Sequence, residues 1–181
     1  METTEKIAEA YVRHIKKWAT IPNVGCDGRH EIDLIAVNPV NMERYHIESG
    51  ISVSYAYSKL TDKPFSRSDL KKRTKTARQR RTIGYFVEQK FQHPDVMKTL
   101  RAYGFKKGGY KKIIVSWNWT PGAERAARRR RIDLWKFGDI VTEIVEAIGH
   151  TREYFADDTM RTLHLFAKAN QRKRSGRQSS L

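Results

Sequence analysis

Hydrophobic residues near the N-terminus recur at the spacing of an amphipathic helix, over residues 4–18. Two threonines, Thr3 and Thr4, precede the helix as candidate caps. The hydrophobic stripe consists of Ile7, Tyr11, Ile15 and Trp18. The period then changes to two in residues 30–37 (HEIDLIAV) and again in residues 45–54 (YHIESGISVS), as it does in strands. A short turn-forming segment separates these stretches, which predicts a hairpin.

The rest of the chain alternates between helical and strand patterns. Residues 66–105 have helical character, two later segments are rich in β-branched and aromatic residues, and two helical patterns follow. The predicted strands cover residues 110–119 and 132–137, and the predicted final helices cover 139–148 and 154–169. This order predicts an α/β fold with a mixed central sheet flanked by helices. We expect one domain over residues 1–170 and a basic, disordered tail over 171–181.

Charge narrows the range of partners. The chain has 36 Lys and Arg residues against 20 Asp and Glu, a formal net charge of +16, and such a field attracts polyanions. Nucleic acid fits better than a membrane surface, because the basic segments lack the broad aromatic and leucine face of an interfacial helix. With no apolar run near membrane-spanning length and no signal peptide, we expect a soluble, cytoplasmic protein. The single cysteine, Cys26, excludes a disulfide framework within the chain.

Two acids stand inside the apolar strands of the predicted hairpin, Asp33 in the first and Glu48 in the second. An ionised carboxylate is costly in such a setting unless it is paired or binds metal. Acids on neighbouring strands therefore predict a shared Mg²⁺ or Mn²⁺ ion, the kind of ion that assists phosphodiester hydrolysis. The competing interpretation is a pair of partly exposed strand acids, neutralised by Arg29, Arg44 or His46.

The segments EIDLIAVNP and YHIESGIS resemble the core hairpin of the PD-(D/E)XK nuclease superfamily, in its restriction-endonuclease-like and Holliday-junction-resolvase-like branches. The segment KIAEAYV is similar to the opening helix of that family, in which an acid assists the metal site. The resemblance implies a restriction-endonuclease-like fold with an αβββαβ core, DNA as partner and a homodimer. It also implies catalytic roles for Glu9, Asp33 and Glu48, with Asp33 and Glu48 as metal ligands and Glu5 as a substitute for Glu9.

One position departs from the family pattern. The family lysine, two residues after the glutamate, is replaced here by Gly50. That lysine orients the attacking water and stabilises developing charge, which a glycine side chain does not do. Members of the superfamily supply the charge from elsewhere, and here the candidates are Lys59, Lys63, Lys71 and Lys72.

A dense basic stretch follows the hairpin, with more charge than a solvated helix usually carries, and predicts contact with phosphates. Its members are Lys71, Lys72, Arg73, Lys75, Arg78, Arg80 and Arg81. The expected function is a metal-dependent DNA endonuclease of restriction, repair or recombination type. A catalytically degraded DNA-binding protein on the same fold and a basic RNA-binding protein remain open as alternatives. Trp117 and Trp119 offer a contact surface for a homodimer, although core packing explains them equally well.

Overall fold

The described part of the chain is built around a mixed sheet of five strands. The computed structural model describes residues 2–51, 59–72 and 76–178, with the backbone alone from residue 170 onward. The strands in spatial order are β1 (Ala19–Gly25), β2 (Glu31–Val37), β3 (Arg44–Ser49), β5 (Lys111–Ser116) and β7 (Ile132–Lys136). A second, two-stranded sheet pairs β4 (Lys59–Leu60) with β6 (Asn118–Trp119) in parallel.

The helices connect these strands and flank the sheet. Two of them continue into π-helical turns, Tyr11–Ile15 after α1 and Phe86–Phe91 after α4. The helices are α1 (Thr3–Ala10), α2 (Arg67–Leu70), α3 (Thr76–Gln79), α4 (Ile83–Tyr85), α5 (Pro94–Ala102), α6 (Pro121–Arg129), α7 (Phe137–Gly149) and α8 (Asp158–Gln178).

The sheet changes from antiparallel to parallel at β3. Strands β1, β2 and β3 pair antiparallel, as the predicted hairpin requires. Strands β3, β5 and β7 pair in parallel, which requires crossover connections through helices. The predicted α/β architecture, with a mixed sheet flanked by helices, is confirmed, and the elements follow the αβββαβ order.

Hydrophobic residues cover both faces of the sheet. On one face Leu34, Ile47 and Ile113 pack among α1, α7 and α8. On the other face one cluster joins Ile114 to α6 and to the helix that contains Phe86 and Phe91. A third cluster packs Ile32 and Ile35 of β2 against α5. Because apolar layers lie on both sides, a charged group inside the sheet has little solvent around it.

Strand β1 was missed by the sequence prediction, which ended the first helix at Pro22 and continued with a turn. Pro22 lies inside β1, which is an edge strand paired only with β2 in the main sheet. Proline is tolerated at an edge, since its missing N–H costs no ladder hydrogen bond there. Asn23 also interrupts the strand pattern, because its φ of 50° lies in the left-handed region.

Several predicted boundaries shift. The residue that caps α1 is Glu2, which forms a capping box with Glu5, and not Thr3 or Thr4. Likewise α7 begins at Phe137, two residues before the predicted start at residue 139. The final helix continues to Gln178 and so includes residues 171–178 of the segment for which the sequence predicts disorder. The outer part of the predicted second strand, residues 52–54, lies outside the described residues.

No helix in the described part of the chain combines the length and the apolar character that a membrane span needs.

Candidate active site at the ends of strands β2 and β3

The pairing of β2 with β3 brings Asp33 and Glu48 together. The ladder runs from Val37 with Arg44 to Leu34 with Ile47, and one further step in the same register places Asp33 across from Glu48. Opposed residues of an antiparallel pair project to the same side of the sheet. The backbone N–H of Ser49 donates a hydrogen bond to Asp33 Oδ2 at 2.7 Å and fixes that carboxylate beside the end of β3.

A lysine from a distant part of the chain lies between the two acids. Lys90 Nζ is 2.8 Å from Asp33 Oδ1 and 2.6 Å from Glu48 Oε2. The two carboxylate oxygens are therefore separated by at most the sum of these distances, about 5.4 Å. Lys90 Nζ also donates to the backbone carbonyl of Glu31 at 3.0 Å. One ammonium group thus links both strands at the point where their ladder ends.

Glu48 is completely enclosed. Its side chain and that of His46 have no exposed surface, and His46 Nε2 lies 2.6 Å from Glu48 Oε1. Burial lowers the pKa of His46 to about 3, so the imidazole is neutral and donates its Nε2–H to the carboxylate. His46 is a hydrogen-bond partner of Glu48 through the i, i+2 geometry of β3, as the sequence suggests.

Burial dominates the electrostatics of the two acids. It raises the pKa of Asp33 to about 7, with a further rise from the charge of Glu48. Burial also raises the pKa of Glu48, against the opposing effect of Lys90. Burial disfavours the charge of Lys90 in turn, yet Glu48 and Asp33 together raise its pKa above the usual range for lysine. The site therefore holds two acids that ionise reluctantly beside a cation that stays protonated.

The ring of Phe86 fills the volume that a side chain at position 50 would occupy. A Cβ added at Gly50 would lie 2.8 Å from Cζ of Phe86, a distance that Cβ atoms essentially do not reach. The backbone N–H of Gly50 donates to the carbonyl of Val115 at 2.8 Å, which fixes the strand in place. A lysine at the family position would collide with Phe86. The ammonium comes instead from Lys90, four residues beyond that phenylalanine.

Lys90 lies in the π-helical turn Phe86–Phe91. The wider turn inserts a residue relative to an α-helix and so changes which side chains face the sheet. Phe86 and Phe91 are both about 1% exposed and anchor the segment in the apolar layer, while Lys90 reaches the carboxylates between them. Such turns are frequent at functional sites. The lysines that the sequence analysis named as substitutes, Lys59, Lys63, Lys71 and Lys72, do not line the cleft, and the lysine that contacts the carboxylates, Lys90, was not among them.

Of the two acids of the first helix named by the sequence analysis, Glu5 lies in the lining of the cleft and Glu9 does not. Glu5 lines the cleft together with Asp33. Burial raises its pKa, and the charge of Asp33 adds to that effect. Glu9, one turn later, is 7% exposed; it accepts a hydrogen bond from Thr20 Oγ1 at 2.7 Å and contacts Arg13 at 3.5 Å. The missed strand β1 supplies Thr20, and its presence turns Glu9 into a structural partner.

A large cleft of about 1230 Å³ opens above Asp33 and Lys90. The lining combines acids from the start of α1 and from β2 with basic and aromatic residues from the turn before β2 and from the segment after α3. The charged and aromatic residues of the lining are Glu2, Glu5, Arg29, His30, Glu31, Asp33, Arg80, Arg81, Tyr85, Phe86 and Lys90. Such a lining offers carboxylates that suit a cation and cations that suit a polyanion.

The predicted phosphate-binding residues divide into three groups. Arg80 and Arg81 line the cleft. Lys71, Lys72 and Arg78 are exposed outside it, and Lys72 pairs with Asp69 at 3.1 Å. The remaining two, Arg73 and Lys75, lie outside the described residues.

Comparison with known proteins adds little to this geometry. No protein-family model matches the sequence, and no curated protein matches it. A solved structure described as a protein of unknown function, AF1548, resembles this chain with a TM-score of 0.45 and 14% identity, covering 92% of this chain and 97% of that chain. Functional assignment therefore depends on the site itself.

We expect Gly50→Ala to destabilise the protein by roughly 1–3 kcal/mol, because its methyl group meets the ring of Phe86. Urea unfolding measures the change. Gly25→Ala is the matched control, since a Cβ at that strand position meets nothing within 4 Å. Equal effects of the two substitutions would contradict a close contact at Gly50.

The raised pKa of Asp33 predicts a pH dependence of stability. The folded protein keeps this proton up to about pH 7, whereas the unfolded chain releases it near the ordinary value of 3.8. The free energy of unfolding therefore falls as the pH rises through this window. Asp33→Asn removes the titrating group. In EDTA, the Tm of this variant should therefore rise relative to the Tm of the unsubstituted protein as the pH increases from 5 to 8. Parallel Tm profiles would refute the shift; Asp158→Asn, at an exposed helix position, is the control.

Proposed function

We propose that this chain is a metal-dependent nuclease of PD-(D/E)XK type that hydrolyses phosphodiester bonds in DNA. The observation that carries the proposal is the contact of Lys90 with both Asp33 and Glu48, beside a cleft whose lining includes Arg80 and Arg81. An acid pair alone is common in proteins. A buried pair that shares an ammonium group, on adjacent strand ends, has the composition of the superfamily site with its lysine supplied by another element.

The acid pair fits a hard divalent cation. Asp33 Oδ1 and Glu48 Oε2 are at most about 5.4 Å apart, and Mg²⁺ prefers carboxylate oxygens. Glu5 offers a third carboxylate beside Asp33. The neutral His46 and the N–H of Ser49 orient the two ligands from behind. Bound there, Mg²⁺ or Mn²⁺ would lower the pKa of an attacking water and neutralise charge on the phosphate.

Lys90 has two roles in this proposal. In the protein without metal its ammonium compensates both buried carboxylates, which would otherwise be costly. Asp33 and Glu48 would hold the metal ion, and Lys90 would remain beside them in the lining of the cleft. There it orients the attacking water and stabilises negative charge that develops on the phosphate, the work of the family lysine.

The cleft arginines supply affinity for the backbone of the nucleic acid. Arg80 and Arg81 belong to the lining of the cleft that also contains Asp33 and Lys90. Contacts of this kind hold phosphates without reading sequence. DNA as the substrate, the homodimer and a cytoplasmic location remain predictions from the sequence.

We expect the purified protein to nick supercoiled plasmid DNA in Mg²⁺ or Mn²⁺ and to stop in EDTA. Asp33→Asn, Glu48→Gln and Lys90→Met should each reduce the rate at least about 100-fold, because each removes a ligand or the compensating charge. Gel assays of plasmid conversion measure this. Lys107→Met is the matched control, since it removes an exposed lysine outside the cleft lining and should leave the rate unchanged.

The variant Lys90→Met separates metal binding from charge stabilisation. Without the ammonium, the two carboxylates should bind Mn²⁺ at least as tightly as in the unsubstituted protein, while cleavage is lost. DNA binding by the unsubstituted protein with no cleavage in either metal would instead support the catalytically degraded DNA-binding protein. Preferential binding of RNA without cleavage would support the third interpretation.

The cleft arginines predict a salt-dependent loss of affinity. Arg80→Ala should weaken binding of DNA fragments of unrelated sequence to a similar extent and reduce the slope of log affinity against log salt by about one. Fluorescence anisotropy at several salt concentrations measures both quantities. Arg128→Ala, exposed on α6 and outside the cleft lining, is the control. An unchanged slope would exclude a phosphate contact at Arg80.

A further inference from the structure

A second cluster of potential metal ligands lies at the rim of the cleft. His30 ends the short turn before β2, and His93 and Asp95 flank Pro94 at the beginning of α5. One ligand atom from each of the three residues lies within 4.8 Å of the other two. The cluster shares no residue with the carboxylate pair of Asp33 and Glu48.

The two imidazoles already face each other. Their ring centroids are 3.7 Å apart with an interplanar angle of 28°. His93 Nδ1 is shielded from solvent and lacks a hydrogen-bond partner in the described part of the chain, although it lies 3.5 Å from Asp95 Oδ2. A shielded ring nitrogen that approaches a carboxylate without a hydrogen bond needs a cation or a proton to satisfy it.

The backbone around the cluster is shaped to bring the three residues close. A Cβ at Gly28 would lie 2.6 Å from Asp95 Oδ2, and the φ of this glycine is +64°. The turn before β2 can approach the Asp95 carboxylate this closely because residue 28 has no side chain. On the same turn Asp27 pairs with Lys98 of α5 at 2.7 Å, which fastens the turn to the helix.

We propose that His30, His93 and Asp95 bind a divalent transition-metal ion such as Zn²⁺. Imidazole nitrogens suit Zn²⁺, Cu²⁺, Ni²⁺ and Fe²⁺, whereas Mg²⁺ prefers oxygen ligands alone. Zn²⁺–N bonds of about 2.0–2.1 Å place the ligand atoms of a tetrahedral site roughly 3.4 Å apart, so modest rotations of the side chains complete the site. Three protein ligands leave a fourth position open, and His30 lies in the lining of the cleft.

The position of the site connects it mechanically to Lys90. His93 follows Lys90 by three residues, and Glu31, whose carbonyl accepts from Lys90 Nζ at 3.0 Å, follows His30 directly. A metal ion held by His30 and His93 would join the segment that contains Glu31 to the segment that contains Lys90. It would thereby fix the distance across which Lys90 Nζ contacts the Glu31 carbonyl. Metal binding at the cluster does not depend on nuclease activity.

The test uses the full chain without a histidine tag, freed of metal by EDTA. We expect one equivalent of Zn²⁺ to bind by calorimetry and Co²⁺ to give visible d–d absorption. His93→Ala and the nearly isosteric Asp95→Asn should each weaken Zn²⁺ binding at least about 100-fold and abolish the Co²⁺ spectrum. Circular dichroism in EDTA verifies that each variant is folded.

Two controls make the outcome specific. His150→Ala removes an exposed histidine at the end of α7 and should leave Zn²⁺ affinity unchanged. The double variant Asp33→Asn with Glu48→Gln should keep Zn²⁺ affinity, whether or not the protein cleaves DNA. Binding weaker than about 100 µM in the unsubstituted protein, or affinity that survives His93→Ala and Asp95→Asn, overturns the proposal.

Discussion

The contact of one ammonium group with two buried carboxylates is the interaction on which the candidate site depends. Glu48 is completely buried, and Asp33 lies beside it at the end of the β2–β3 ladder, with part of its side chain in the lining of the cleft. Removing Lys90 would leave charge in that setting, which typically costs several kcal/mol. The same contact fastens the segment after α4 to the two strands. One contact thus both compensates the charge of the acids and holds the helical segment that carries Lys90 against the sheet.

The contact of Lys90 with both carboxylates explains several features that look unrelated in the sequence. Phe86 takes the volume beside Gly50, and the π-helical turn directs Lys90 toward the acids while Phe91 stays in the core. His46 stays neutral beneath Glu48 and gives it a hydrogen bond without adding charge. The glycine at the family lysine position is therefore part of how the helix docks on the sheet.

Some of this was accessible from the sequence and some was not. Alternation along two neighbouring segments located Asp33 and Glu48, because strand register follows from which residues are apolar. Lys90 was not accessible, since it meets Asp33 across 57 residues of chain and local pattern carries no information on that distance. The choice between Glu5 and Glu9 was also not accessible, because the two acids share a helix face and Thr20, which binds Glu9, lies on the unpredicted strand β1. Strand β1 was not predicted because Pro22 and Asn23 lie inside it, and such residues usually end a helix or begin a turn.

The ammonium group of this cluster comes from an element far along the chain from the two acids, which affects how such a cluster is found. A pattern read along the chain requires glutamate and lysine two residues apart, and His-Ile-Glu-Ser-Gly does not satisfy it. A pattern read in space requires two carboxylate oxygens within about 3 Å of one ammonium nitrogen, and this chain satisfies it. The cluster therefore exists only in the folded chain, where two strands and one helical turn bring three side chains together. A substitution that shifts either strand or the helical turn would separate these atoms without changing any of the three residues.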